Sequence, residues 1–294
     1  MPVITSYEPF SLQPEYLEAN REFLHSLPLE NVSQVLDLAC GTGTLSELLL
    51  EIKPEVGIVG IDISTESLEI ARELFKEKKM LVQDHDALNS ALKSGQSAVL
   101  LKVGSADDFD LEPASMDLVL MGNAIHLLPD KEKLIQRISR VLRPGGIFAF
   151  NSCFFIGTYP EGTESVYTEW MKEALAIVSE KLLQLQQAGQ EGIRRKRGKG
   201  NRAFGNEWFS PLQWRDLLNS HHLEIIQDKQ RTVMLTQQSL ETIGAYAGFA
   251  EVALSGYSVE IASEALQEAA GVTLNNLQIK EIPRLWLEIV AMKN

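Results

Sequence analysis

Five short apolar runs punctuate the first half of the chain: "QVLDLAC" (34–40), "VGIVGID" (56–62), "SAVLLKV" (97–103), "MDLVLMG" (116–122) and "GIFAFNSC" (146–153). They are rich in β-branched residues and lack polar alternation, the pattern of strands covered on both faces, so they predict a parallel sheet. Between them, "STESLEIARELF" and "DKEKLIQRISRVL" carry apolar residues at intervals of three and four, with Ser64 and Asp130 placed as N-caps and "RPGG" ending the second helix. Strand and helix alternate, which predicts a doubly wound α/β fold. Residues 76–96, rich in charges and turn formers, are longer than a helix-to-strand connection requires and are expected to hold an extra short helix.

After Cys153 the alternation stops. Residues 164–188 place Tyr167, Trp170, Met171, Leu175, Val178, Leu182 and Leu185 on one side of a long amphipathic helix. Another helix opens at Ser210, with Pro211 in its first turn and Gln213 as capping-box partner, and a strand candidate, "LEIIQDKQRTVML", follows it. Residues 237–280 read as mostly helical, and "RLWLEIVAM" (284–292) as a last strand. The pattern predicts a Rossmann-like, mostly parallel seven-stranded sheet with two helical lid insertions, not two domains in tandem. Its segments are an N-terminal cap (1–33), the core (34–153), a first lid (154–209), a core continuation (210–236), a second lid (237–280) and the final core strand (281–294).

Composition narrows the class further. The chain has 294 residues, 45% of them hydrophobic, and a net charge of −13 that disfavours general nucleic-acid affinity. No window approaches the ~20 apolar residues of a membrane span, and the N-terminus has neither a basic start nor a long apolar run. Cys40 and Cys153 make no framework of bridges and no metal-ligand spacing, so a cytoplasmic protein without a metal is expected. The "DHD" at 84–86 resembles a ligand set but has no second cluster to complete it.

Chemistry concentrates in "VLDLACGTGTLS" (35–46), an apolar strand running into a glycine turn and a helix. Such a turn grips nucleotide-type ligands, but Asp37, four residues before Gly41, would repel a pyrophosphate. An ammonium-bearing ligand such as S-adenosylmethionine reverses that sign, while the glycines still let the backbone approach closely. Asp62, at the end of the second strand, stands where an acid accepts hydrogen bonds from ribose hydroxyls.

The ordered series "VLDLACGTGTLS", "VGIDIS", "VGSADDF", "MDLVLMGNAIHLL" and "RVLRPGGIFAF" resembles the successive motifs of class I S-adenosylmethionine-dependent methyltransferases. The resemblance covers roughly residues 30–155 and implies S-adenosylmethionine as cofactor. It implies that Asp37, Ala39, Gly41 and Gly43 hold the methionine part, and that Asp62, with Ile63 beside it, holds the ribose. Ser105 and Ala106 fall at the adenine edge, where Asp is common before Ala; serine departs from that pattern, and Asp107 shares the role. Asn123 and Ala124 reach the methionine moiety at the mouth of the site, and His126 just beyond is the candidate general base.

The lids carry Trp170, Phe204, Trp208, Phe209, Tyr246, Phe249 and Tyr257, and the N-terminal segment carries Tyr7, Phe10 and Tyr16. Of these, Tyr7, Tyr16, Trp170, Trp208, Phe209, Tyr246 and Phe249 are the expected substrate contacts, which predicts a largely apolar acceptor pocket. The expected activity is methyl transfer to an O, N or activated C of a small apolar metabolite, as in natural product biosynthesis. Alternatives are a carrier-protein-tethered or RNA acceptor, or a protein that binds S-adenosylmethionine without turnover. The basic run "GIRRKRGKGNR" (192–202) reads as a solvated loop or as an attractor of anionic acceptors.

Overall fold

The computed structural model describes residues 3–4, 8–189 and 207–294. In chain order the first half comprises α1 (Glu8–Ser11), α2 (Pro14–His25), β1 (Gln34–Leu38), α3 (Thr44–Ile52), β2 (Gly57–Asp62), α4 (Thr65–Glu77), β3 (Leu81–Val82), α5 (His85–Lys93), β4 (Ala98–Val103), β5 (Met116–Gly122), a 3-10 turn (Ile125–Leu127), α6 (Lys131–Val141) and β6 (Leu142–Ser152). The second half comprises α7 (Glu164–Gln187), α8 (Pro211–Ser220), β7 (Leu223–Thr236), α9 (Gln237–Ala245), α10 (Ala247–Ala253), α11 (Val259–Leu277) and β8 (Glu281–Lys293).

The strands form one sheet in the order β3-β4-β2-β1-β5-β6-β8-β7. From β3 to β6 every pairing is parallel, and β8 runs antiparallel to β6. The doubly wound, mostly parallel fold is therefore observed, but with eight strands where the pattern predicts seven. The added strand is β3, only two residues long, which pairs Leu81 with Val99 and Val82 with Leu100. Two residues are too short to leave a periodic signature, so the segment announces only its helix, α5. That helix explains "DHD": Asp84 is its N-cap, accepting from the Ala87 N–H at 2.8 Å.

The chain divides into two compact units. The first to be described contains residues 16–158, 207–231 and 286–294. Its strands alternate side chains between two layers, as the pleat requires. From β6, Ile147 and Ala149 enter a core with Phe23, Leu24, Leu49, Ile58 and Phe75. Phe148 and Phe150 stack on the opposite face, and Phe150 meets Trp214 of α8 at 4.9 Å between ring centres. Burying each such side chain contributes about 1.5–3 kcal/mol. The helix ends are built as expected: Ser64 and Asp130 cap α4 and α6, and Ser210 with Gln213 forms a capping box on α8.

The other unit holds residues 1–15, 159–206 and 232–285. Its centre is α7 against α11. Trp170 stacks on Phe249 at 5.7 Å, and its indole N–H donates to the Leu266 carbonyl at 2.8 Å. The buried stripe of α7 is Val166, Trp170, Ala174 and Val178, one residue around from the predicted face at several positions, and Leu175 is exposed. Ala174 explains the shift, since a small residue lets α11, itself lined by Ala262, Ala265 and Ala269, approach closely. Among the described residues no helix is long and apolar enough to cross a membrane, and no group of three or more His, Cys, Asp or Glu is placed to hold a metal ion.

Candidate functional site

The strand order reverses at β1, which lies between β2 and β5, so a crevice opens beyond the C-terminal ends of these strands. The turn leaving β1 is left-handed at three residues: Ala39 (φ 55°), Gly41 (φ 55°) and Gly43 (φ 87°). The two glycines serve different needs. A Cβ on Gly43 would sit 2.7 Å from the Phe75 ring, so that position keeps α4 close, whereas a Cβ on Gly41 would meet nothing within 4 Å. Gly41 thus borders open space.

Asp62, at the end of β2, ties this turn to the next. Its Oδ2 accepts from the Gly41 N–H at 2.8 Å and its Oδ1 from the Ser64 N–H at 2.7 Å. Each carboxylate oxygen accepts more than one hydrogen bond, so both retain capacity toward a ligand. Ile63 beside it is 75% exposed, and Val103, paired with Asp62 across β2 and β4, is 55% exposed.

Asp37 is only 1% exposed. Its Oδ2 accepts from the Ser46 hydroxyl at 2.6 Å, and its Oδ1 is buried without a partner. Burial pushes this carboxyl up to about 7, with the Ser46 hydrogen bond opposing the rise and the Asp62 charge adding to it. A buried acceptor without a donor is costly, and a cationic donor is what would satisfy it. The residues present therefore fit a ligand with an ammonium group and vicinal hydroxyls.

At the end of β4, the Ser105 hydroxyl donates to Asp107 Oδ1 at 2.5 Å, and the Asp108 N–H donates to the Ser105 carbonyl at 3.1 Å. Ala106 between them is buried. Arg137 of α6 fixes the loop from outside, donating to the Phe109 carbonyl at 2.7 Å and to Asp108 Oδ1 at 2.8 Å.

At the end of β5, Asn123 takes a left-handed conformation (φ 46°) and Ala124 leads into the 3-10 turn. The Asn123 N–H donates to both the carbonyl (3.0 Å) and Oδ1 (2.9 Å) of Asn151 on β6. Its side-chain oxygen accepts from the Cys153 N–H at 3.0 Å. Asn151 Nδ2 then donates to Asn20 Oδ1 at 2.9 Å, and Asn20 Nδ2 to the Tyr16 carbonyl at 2.8 Å. His126 is buried, with Nδ1 3.4 Å from the Ser152 hydroxyl and its ring 4.0 Å from that of Phe154. Phe154 continues edge-on to Trp208 at 5.6 Å, and Phe209 packs on Trp214 with the Lys131 ammonium 5.1 Å above it.

The structure thus brings Asp37, Ala39, Gly41, Gly43, Asp62 and Ile63 to adjacent strand ends, with Ser105, Ala106 and Asp107 after β4 and Asn123, Ala124 and His126 after β5. Tyr16 is buried in the same unit, edge-on to Trp286 at 5.2 Å, and burial raises its phenol, with Cys153 adding to the rise. Trp170, Tyr246 and Phe249 belong to the other unit, where Tyr246 bridges to Ile4. Tyr7, Phe204 and the basic run 192–202 lie outside the described residues. Ser46, Arg137, Asn20 and Asn151 escape the sequence reading. Only Asn151 leaves a trace there, as an amide inside the otherwise apolar "FAFNSC".

The methyltransferase domain family matches residues 29–193. Trans-aconitate 2-methyltransferase of Azoarcus sp. (strain BH72) is 29% identical over 149 residues, which are 51% of this chain and 50% of that protein. Malonyl-[acyl-carrier protein] O-methyltransferase of Chlorobium phaeovibrioides is 32% identical over 132 residues, 45% of this chain and 44% of that one. The chain thus matches about half the length of these relatives. Among solved structures, phosphoethanolamine N-methyltransferase 2 of Haemonchus contortus shares the fold with a TM-score of 0.53 at 19% identity, over 98% of this chain and 56% of that one. The family match runs through the glycine turn, the strand-end acid and the Asn123 turn and covers more than half of the sequence, so this chain belongs to the methyltransferase domain family.

Proposed function

We propose that the chain is an S-adenosylmethionine-dependent methyltransferase acting on an O, N or activated C of a small, largely apolar metabolite. The observation that carries the reading is Asp37, a buried carboxylate with an unpaired oxygen beside a glycine turn where a pyrophosphate binder would be free of it, together with Asp62 at the ribose position. The cofactor supplies a methyl group on a sulfonium, whose departure as a neutral thioether needs no acid. The protein therefore mainly aligns the acceptor with that methyl and excludes water. Asp62 receives the ribose hydroxyls while holding the Gly41 and Ser64 N–H groups, and Asp37 Oδ1 receives the ammonium. With His126 Nδ1 turned to Ser152, Nε2 is the atom assigned to take the acceptor's proton where the acceptor is poorly ionised.

The aromatic row of His126, Phe154 and Trp208 supports an apolar acceptor, and natural product biosynthesis fits such chemistry. The net charge of −13 argues against a nucleic-acid acceptor. Two buried cysteines suit a reducing cytoplasm. A second reading, an acyl chain tethered to a carrier protein, is favoured by the likeness to the malonyl-[acyl-carrier protein] enzyme. Calorimetry against S-adenosylhomocysteine and NAD, followed by labelled methyl transfer to free and carrier-bound carboxylic acids and phenols, tests both readings. Tight binding of NAD but not S-adenosylhomocysteine would overturn the first step. Labelling of carrier-bound acceptors alone would replace the free metabolite.

A further inference from the structure

Buried amides lie behind the β5 turn. Three asparagines, Asn20, Asn123 and Asn151, are buried and joined in series, linking helix α2 to the ends of β5 and β6. Buried amides in a core are costly unless every member is paired, and this series directs its pairing at a single left-handed residue, Asn123. Asn123 holds a left-handed backbone, a conformation asparagine tolerates better than other non-glycine residues and which hydrogen bonds here select. The selection comes from Asn151. Its main-chain and side-chain oxygens both take the Asn123 N–H, while the Asn123 side chain is held by the Cys153 N–H.

The orientation of the Asn151 amide is in turn decided by Asn20. Turned over, the amide would set its NH₂ against the Asn123 N–H, donor to donor, and its oxygen against Asn20 Oδ1, acceptor to acceptor. Asn20 is fixed by donating to the Tyr16 carbonyl one helical turn back. The series ends on the left-handed Asn123 turn at the C-terminal end of β5, where the crevice begins.

We propose that Asn151, oriented by Asn20, is a positioning residue for the methyl donor: it holds the Asn123–Ala124 turn in the conformation that receives the donor's methionine end. The proposal rests on the reading of the crevice as an S-adenosylmethionine site. Asn151 touches no ligand itself and acts through the backbone of Asn123. Asn20 extends that control to helix α2, so the helix and the donor-binding turn respond to one another.

The test uses the full-length protein, S-adenosylhomocysteine as probe, and the variants Asn151→Asp, Asn20→Leu and Asn20→Asp. Asn20→Asp keeps an acceptor for Asn151 Nδ2 and, its buried carboxyl being protonated, a donor for the Tyr16 carbonyl, so it should bind within about threefold of wild type, whereas Asn20→Leu frees the amide and should lose about tenfold. Asn151→Asp keeps an acceptor for the Asn123 N–H but faces Asn20 with a second oxygen. Its affinity relative to wild type at the same pH should be lowest at neutral pH and recover as the new carboxyl is protonated in acid. Hydrogen exchange at the Asn123 amide, read without ligand, should quicken at least tenfold in Asn20→Leu and stay near wild type in Asn20→Asp. The proposal is overturned if Asn20→Leu binds as tightly as wild type, or if its loss of affinity is matched by Asn20→Asp. It is equally overturned if folded Asn20→Leu differs from wild type only in melting temperature. Failure of the wild type to bind the probe, with normal exchange protection at Asn123, would instead strike the donor-site reading.

Discussion

Acidification should weaken binding of the methyl donor by a calculable amount. The Asp37 carboxyl, pushed by burial to about 7, is the group that matters, because only its ionised form attracts an ammonium. If binding requires that form, the apparent dissociation constant scales inversely with its fraction, roughly three quarters at pH 7.5 and about one tenth at pH 6. Partial loss of the ligand's own amino proton, whose ordinary value is about 7.7–8.0, trims the ratio at the upper pH. Affinity for S-adenosylhomocysteine, which bears the same amino group, is therefore expected to fall about five- to eightfold from pH 7.5 to pH 6. Binding at pH 6 should release close to one proton, read as a dependence of the calorimetric enthalpy on the buffer's ionisation enthalpy. In the ligand-free protein the same group acts on stability. Its folded value lies above the ordinary carboxylate value, so the contribution is full below about pH 4 and is lost as pH rises through 7, up to about 4 kcal/mol. Saturating ligand should offset much of that loss in thermal melts. Asp37→Asn should remove most of the pH dependence and bind at every pH more weakly than the wild type does at pH 6. Equal wild-type affinity at the two pH values, or proton uptake on binding, refutes the assignment.

The remaining expectations concern single residues. Asp62→Ala should weaken S-adenosylmethionine binding about a hundredfold, from two charge-assisted hydrogen bonds at ~1.5 kcal/mol each, and calorimetry that finds a folded variant with unchanged affinity removes Asp62 from the ribose site. His126→Ala should lower the maximal rate about 10² or more with little change in donor affinity, whereas near-normal turnover by a less stable protein would leave alignment alone as the mechanism. Trp170→Ala should cost about 3–5 kcal/mol in denaturant unfolding, because it empties the centre of its helical unit and removes the indole hydrogen bond to the Leu266 carbonyl; a loss below ~1 kcal/mol would contradict that packing. Gly41→Ala should fold with a penalty of about 1 kcal/mol for its positive φ yet bind the donor markedly worse, since its Cβ projects into open space beside the turn.

How much of this was legible beforehand depended on the range of the forces involved. Strands β1, β2, β4 and β5 could be read because a strand buried on both faces must be apolar along its length, a local property. Asp62 could be read because its place at the end of β2 follows from strand order. The two-residue β3 could not, since its pairing is decided by Val99 and Leu100 and not by its own pattern. Nor could the link between Asn20 and Asn151, separated by 131 residues, where polar identity alone does not say which buried partner is meant. The α7 stripe lay between these cases. Periodicity announced a helix, but whether Ala174 or Leu175 turned inward was settled by the small residues of α11.

The placing of β8 bears on how the chain acquires its structure during synthesis. β8 sits between β6 and β7 in the sheet, yet β7 leaves the ribosome before it. For the 44 residues separating Thr236 from Glu281, β7 has no neighbour to pair with and presents unpaired backbone groups along its length. The nascent sheet must therefore wait at β6, with one flank open, until the segment ending at Lys293 has emerged. Insertion of a late strand between two earlier ones is a long-range, slow event and the most exposed interval of folding. Chaperone dependence, and losses to aggregation at high expression temperature, should therefore track substitutions in 281–293 more closely than those in the glycine turn.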